Sequence, residues 1–254
     1  MSLFDMTGKV AIVTGSSRGI GRAIAEAFAE QGARVVISSR KQEACQEVAD
    51  GINGRHGEGR AIAVAASISS KPALEELVAQ TRAQLGRIDV LVCNAATNPY
   101  YGSINGIGDD QFRKILDSNV LSNHWLIQLV LPEMVERRDG SIIIVSSIGG
   151  LRGSSTIGVY NVSKAADFQL ARNYAVENGQ HNVRINCIAP GLIRTDFARA
   201  LWENPEAEAA VNRSNPMRRI GEPRELAGAA VFLASAAGSY VNGQAIVVDG
   251  GATI

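Results

Sequence analysis

Short apolar runs with little polar interruption recur along the chain, at residues 10–14, 34–38, 61–65, 90–93, 141–145, 184–188 and 245–248. A strand with one face in water alternates apolar and polar residues, whereas a strand buried on both faces does not. These runs therefore read as strands of a parallel sheet covered on both sides. Between them lie stretches with helical spacing, at residues 22–31, 41–53, 72–85, 110–137, 158–178 and 224–234. Strand and helix in regular alternation predict an α/β fold: a single doubly wound Rossmann-type domain over residues 1–254, a parallel sheet with helices on both faces. Pro132 predicts a kink or break in the stretch 110–137. Residues 192–221 stand outside the rhythm. They are long, polar and punctuated by Asn215-Pro216, and they read as an irregular substrate loop.

The first strand runs into Thr14-Gly15-Ser16-Ser17-Arg18-Gly19-Ile20-Gly21, and a helix follows. Glycines let a backbone approach a phosphate closely, and a helix N-terminus offers free N–H groups to an anion. The spacing G-x-x-x-G-x-G departs from the G-x-G-x-x-G fingerprint, so only the strand–turn–helix context carries the reading. The same residues contain G-x-S-x-G, the nucleophile elbow of α/β-hydrolases, with His181 available later in the chain. That alternative leaves the tyrosine and lysine described below without a role.

In dinucleotide folds an acid about 20 residues beyond the glycines bonds the ribose 2′-hydroxyl, and arginine favours a 2′-phosphate. Here the second strand ends in Ser38-Ser39-Arg40-Lys41, with no acid and two cations, and Arg18 can add a third. NADP(H) is therefore expected, with NAD less favoured.

Tyr160 and Lys164 stand four residues apart at the start of a helix, on one face. With five tyrosines in the chain, such a match arises by chance about 0.1 times. A free phenol is too weak an acid for efficient proton transfer at neutral pH, and a neighbouring ammonium is expected to lower its pKa. Carbonyl reduction needs such a group, because a proton must reach oxygen as hydride reaches carbon. Ser146-Ser147 ends the strand before this helix, where ligands of open α/β sheets bind.

In these pieces together, the chain resembles the short-chain dehydrogenases/reductases over nearly its full length. The matching stretches are TGSSRGIG (14–21), CNAA (93–96), Asn119-Val120, the set Ser147, Tyr160 and Lys164, and PGLIRT (190–195). The resemblance implies Tyr160 as acid/base, and Lys164 as the group that lowers its pKa and binds the nicotinamide ribose. It implies Ser147 as holder of the substrate oxygen and Asn119 as support for the lysine through a water. Gly15, Ser17, Arg18, Ile20, Ser39, Arg40, Ser67, Ile68, Asn94, Ala95, Ile193 and Thr195 would line the cofactor. Asn94 would steady the central sheet, and Ser146 would be structural. Two positions depart from the family pattern. Ser67-Ile68 stands where an adenine-binding Asp is common, and Ala96 replaces a glycine. The stretches 35–42, 93–104, 142–150, 160–166 and 184–202 further resemble the NADP-dependent retinol dehydrogenase/reductase branch, also described as carbonyl reductases.

Composition narrows the partners. Net charge is zero, and no basic face suggests nucleic acid or a membrane surface. No long apolar stretch spans a membrane, and the N-terminus lacks the pattern of a secretory signal. Cys45, Cys93 and Cys187 are scattered, which favours a reducing, cytoplasmic setting, and no histidine spacing suggests a metal. A small carbonyl or alcohol is the expected partner, and the resemblance implies a homotetramer. Tyr100, Tyr101, Ile148, Leu151, Phe197, Leu201 and Trp202 are candidates for an apolar pocket wall. Two rival readings share the fold: a 3-oxoacyl-[acyl-carrier-protein] reductase, and a non-catalytic nucleotide-binding sensor.

Overall fold

The computed structural model describes residues 2–254, with the side chains of Ala200 and Ala207 outside the description. Seven parallel strands form one sheet in the order β3-β2-β1-β4-β5-β6-β7. They are β1 (Val10–Thr14), β2 (Arg34–Ser38), β3 (Ala61–Ala63), β4 (Val90–Cys93), β5 (Gly140–Val145), β6 (Val183–Pro190) and β7 (Ala245–Val248). The apolar runs are explained by what each face meets. Ala11, Val13, Val35, Ile37, Val92 and Ile143 pack against α1 (Gly19–Glu30), α2 (Gln42–His56) and α8 (Pro223–Ala234). Their neighbours Val10, Ile12, Val36, Leu91, Ile142 and Ile144 pack against α3 (Lys71–Leu85), α5 (Ser122–Arg137) and α6 (Gly158–Asn178). Successive side chains of a strand point to opposite faces, so two apolar layers demand an unbroken apolar strand. The edge strands β3 and β7 are only partly buried and are the exceptions.

Chain order reverses between β1 and β4, which lie side by side with β2 on the outer flank of β1. A crevice at such a switch point, beyond the carboxyl ends of the strands, is where open α/β sheets take ligands.

Three expectations are corrected. The stretch 110–137 does not break at Pro132. It divides into α4 (Asp109–Leu116), a wide π-turn (Asp117–Leu121) and α5, which runs unbroken through the proline. The fully buried Leu126, Ile127, Val130 and Met134 hold α5 in the core, and Arg82 donates to the Leu129 carbonyl at 2.6 Å in the turn before Pro132. Residues 192–221 are not irregular, for they contain a 3₁₀ segment (Asp196–Leu201) and α7 (Pro205–Ser214). Asn204 caps α7 by accepting from Glu206 N at 2.8 Å, and Pro205 starts it. The neck of this excursion is closed by Arg194 N to Gly221 O (2.9 Å) and Gly221 N to Leu192 O (3.1 Å). Lastly, β3 stops at Ala63, two residues early, because Gln42 takes the Ala63 carbonyl and the Ala65 N–H.

Candidate active site

The turn after β1 is folded around backbone that only glycine fits. Gly15 and Gly19 have φ of +65° and +59°, and a Cβ on Gly15 would lie 2.9 Å from Asn94 Nδ2. Ser16 locks the turn, donating to Val13 O (2.6 Å) and accepting from Ser38 N (2.9 Å). Asn94 donates to Thr14 O (2.8 Å) and Gly15 O (3.2 Å), while Thr14 Oγ1 accepts from Asn94 N and Ala95 N. Asn94 thus ties β4 to the turn. Arg18 precedes α1 without a side-chain cap, so the first N–H groups of that helix remain open to an anion. Ser17 and Ile20 flank this opening in sequence. Across it stands Thr195, which a Cβ on Gly19 would approach to 3.3 Å, and the buried Ile193 lies just before it. This cradle fits a dinucleotide pyrophosphate.

Tyr160 sits half-buried in the first turn of α6. Lys164, one turn on, is 2% exposed. Its Nζ donates to Val145 O (3.0 Å) and to Asp167 Oδ2 (3.1 Å), and lies 5.7 Å from the Tyr160 ring centre. Ser147, just past β5, accepts from Gly149 N at 3.0 Å, and its hydroxyl acts to lower the Tyr160 pKa. Ser146 turns inward and donates to Lys164 O at 2.7 Å. Asn119 falls in the π-turn and is fully buried. It accepts from Thr97 N (2.8 Å) and donates to Thr97 O and to Ser163 Oγ (both 3.0 Å), clamping the loop after β4 onto α6 without touching Lys164.

The electrostatics depart from expectation. Burial raises the Tyr160 pKa, Lys164 pulls it down, Asp167 pushes it up, and the result lies above the ordinary phenol value. The ammonium therefore acts in the expected direction but does not prevail. Burial alone would lower the Lys164 pKa. The Asp167 carboxylate beside it, together with the Tyr160 phenol, outweighs that and holds the ammonium charged.

Arg40 and Lys41 are exposed beyond β2 and form no ion pair among the described residues. Arg18 pairs instead with Asp196 at 3.2 Å. Ser39 meets Cys45 Sγ at 3.1 Å. Ser67 is half-buried, and Ile68 packs on the core beneath α3. Of the apolar candidates, Phe197 faces Tyr160 with ring centres 6.0 Å apart. Trp202 stacks under Arg194 and donates to Thr195 O at 3.0 Å. Ile148 is buried, Tyr101 and Leu151 are exposed, and the Tyr100 hydroxyl bonds Ser103 O. The hydrolase alternative fails on position. His181 precedes β6, at the amino edge of a parallel sheet, and Ser17 follows β1 at the carboxyl edge. Sequence reasoning missed Asp167 and Asn123, both buried beside Lys164. The signal was an acid three residues past the lysine, on a helix face otherwise committed to the core.

A glycine-lined cradle at the switch point, with a tyrosine, a lysine and a serine beside it, defines a nucleotide-dependent oxidoreductase site. The family described as Enoyl-(Acyl carrier protein) reductase matches residues 15–253. "Dehydrogenase/reductase SDR family member 4" of Bos taurus is 43% identical over 247 residues, covering 97% of this chain and 88% of that protein. A 7α-hydroxysteroid dehydrogenase, solved with NADH and 7-oxo glycochenodeoxycholic acid, is 38% identical with a TM-score of 0.92, covering 98% of this chain and 95% of its own. A gluconate 5-dehydrogenase from Burkholderia cenocepacia J2315, solved with NADP and tartrate, is 30% identical with a TM-score of 0.93, covering 98% and 97%. The chain belongs to the short-chain dehydrogenase/reductase superfamily. It is an NAD(P)-dependent oxidoreductase acting on carbonyl and alcohol groups.

Proposed function

We propose that this chain is an NADPH-dependent carbonyl reductase of the retinol dehydrogenase/reductase type, with Tyr160 as its acid. The observation that carries the reading is the placement of Tyr160, Lys164 and Ser147 at the carboxyl edge of β5, facing the glycine cradle. Gly15, Ser17, Arg18, Ile20, Asn94, Ala95, Ile193 and Thr195 would hold the dinucleotide, with Ser67 and Ile68 near its adenine. Ser39 and Arg40, aided by Lys41, would take the 2′-phosphate, since no acid stands there to repel it. The relative solved with NADP supports this preference, and the relative solved with NADH shows that the fold serves both cofactors.

When bound, the nicotinamide supplies or accepts the hydride. Ser147 would hold the carbonyl oxygen, and the Tyr160 hydroxyl would give that oxygen its proton. Lys164, kept charged, would then stabilise the phenolate left behind. Phe197 and the excursion 192–221 would close over the substrate and exclude water. Family resemblance supports a homotetramer, and three free, buried thiols accord with a reducing, cytoplasmic setting.

A panel of ketones, 1,2-diketones, retinal and acyl thioesters with NADPH and NADH tests the reading. Turnover of ketones or retinal with NADPH is expected, and a clear preference for NADH would overturn the cofactor assignment. Activity confined to acyl-carrier thioesters would favour the second reading, which the description of the matching family motivates. Of the arginines around the excursion, Arg194, Arg199 and Arg219 are each answered by a carboxylate, whereas the exposed Arg152, Arg213 and Arg218 form no ion pair among the described residues.

A further inference from the structure

Asp167 is fully buried on α6, three residues past Lys164. Its Oδ2 accepts from Lys164 Nζ at 3.1 Å, and its Oδ1 accepts from Asn123 Nδ2 at 3.0 Å. The Asn123 amide in turn donates to Asn119 O at 2.6 Å, in the π-turn. A buried polar line therefore runs from α5 through Asp167 to the ammonium behind Tyr160.

A carboxylate in such a place is costly to desolvate, and an apolar side chain would fill the same gap without that cost. Its partners show what it does instead. The ammonium is drawn to the carboxylate and to Val145 O, and the pair carries no net charge. A neutral pair pulls on a nearby phenol less than a lone cation does.

We propose that Asp167 is a positioning residue: it anchors the Lys164 ammonium and, as a second charge in the site, sets the pH range over which Tyr160 can give its proton. This rests on the reading of Tyr160 as the acid. The other titratable groups facing the pair are the thiols of Cys93 on β4 and Cys187 on β6, both pushed far above neutral by burial. From α5 the facing group is the uncharged Asn123, since His124 turns to the Tyr174 hydroxyl at 2.7 Å.

The test is a spectroscopic titration of the whole protein. Tyrosinate absorbance of wild type minus Tyr160→Phe isolates the Tyr160 ionisation, and Asp167→Asn minus its Tyr160→Phe double variant isolates the same group without the carboxylate. The midpoint is expected to fall by about one pH unit in the Asp167→Asn background. The pH limb of NADPH-dependent ketone reduction should move with it, and the maximal rate should drop. Superimposable titrations would overturn the proposal, because a merely structural residue lowers stability without moving the phenol. Asp167→Ser, which leaves room for a water, carries the same measurement if the Asn variant fails to fold. If neither folds, Asp167 is a stability determinant and the proposal is overturned. Full activity in Tyr160→Phe alone would instead sink the proposed function, so the two failures are distinct.

Discussion

Lys164 and Phe197 both face the Tyr160 ring, yet Lys164 is 2% exposed and Phe197 is 59% exposed. Lys164 stands on a long helix pressed against the sheet, with a carbonyl and a carboxylate fixing its one charged atom. Phe197 stands on the excursion 192–221, closed at its neck by two backbone bonds and laced on its surface by ion pairs such as Arg18–Asp196 and Arg194–Glu208. Exposed pairs of that kind contribute about 0–1 kcal/mol each. Breaking a buried pair by removing one partner costs about 3–5 kcal/mol. Proton transfer tolerates little displacement of the reacting group, and it is given to the rigid region. Closure over a substrate requires movement, and the proposed function assigns it to the weakly held one.

The largest effect that can break this contrast is at the tyrosine. Tyr160→Phe should lower kcat for ketone reduction by roughly 10³-fold with an unchanged fold, as expected for loss of a general acid. Steady-state kinetics and circular dichroism check it, and retained activity would remove the rigid region from the chemistry.

Lys164→Ala should both inactivate the protein and leave Asp167 buried without its cation. A stability loss of about 3–5 kcal/mol is expected in chemical denaturation. A loss under about 1 kcal/mol would place the pair with the surface bridges instead.

The pH dependence follows from the raised Tyr160 pKa. Reduction needs the protonated phenol, so its rate should hold through neutral pH and fall only in the alkaline range. Alcohol oxidation needs the phenolate and should climb about tenfold per pH unit below the midpoint. A reduction rate already falling near neutral pH would contradict that direction.

On the excursion, Phe197→Ala should change the substrate KM by roughly threefold to tenfold, the worth of a partly buried aromatic contact, while leaving the melting temperature nearly in place. The smallest effect is at Asp196→Asn, which loses the exposed bridges to Arg18 and Arg199 and should shift stability by under about 1 kcal/mol. A large loss of stability in either variant would erase the distinction between the two regions.

Much of the rigid region was legible in the chain. The strand cores matched closely because unbroken apolar runs such as Ile142–Val145 have no other comfortable place than between two helical layers. The glycine turn and the Tyr160–Lys164 spacing are local patterns, and local patterns survive translation into one dimension. The π-turn at Asn119 was not legible, because a widened turn depends on side chains taking backbone carbonyls, as Ser122 takes Ser118 O at 2.7 Å. Helix α7 was hidden by its polarity, although Asn204-Pro205-Glu206 is a start signal.

The sequence by itself determined the sheet, the phosphate cradle and the pairing of a tyrosine with a lysine, because periodicity and short-range spacing encode them. Only the tertiary structure decided which way that pair is tuned. Cys93, Asn123, Ser146, Asp167 and Cys187 lie far apart in the chain, and they converge around one ammonium only when α5, α6 and the strands close on each other. Burial and the neighbouring carboxylate then outweigh the lysine's pull on the phenol, a balance set by distances through space rather than by positions along the chain.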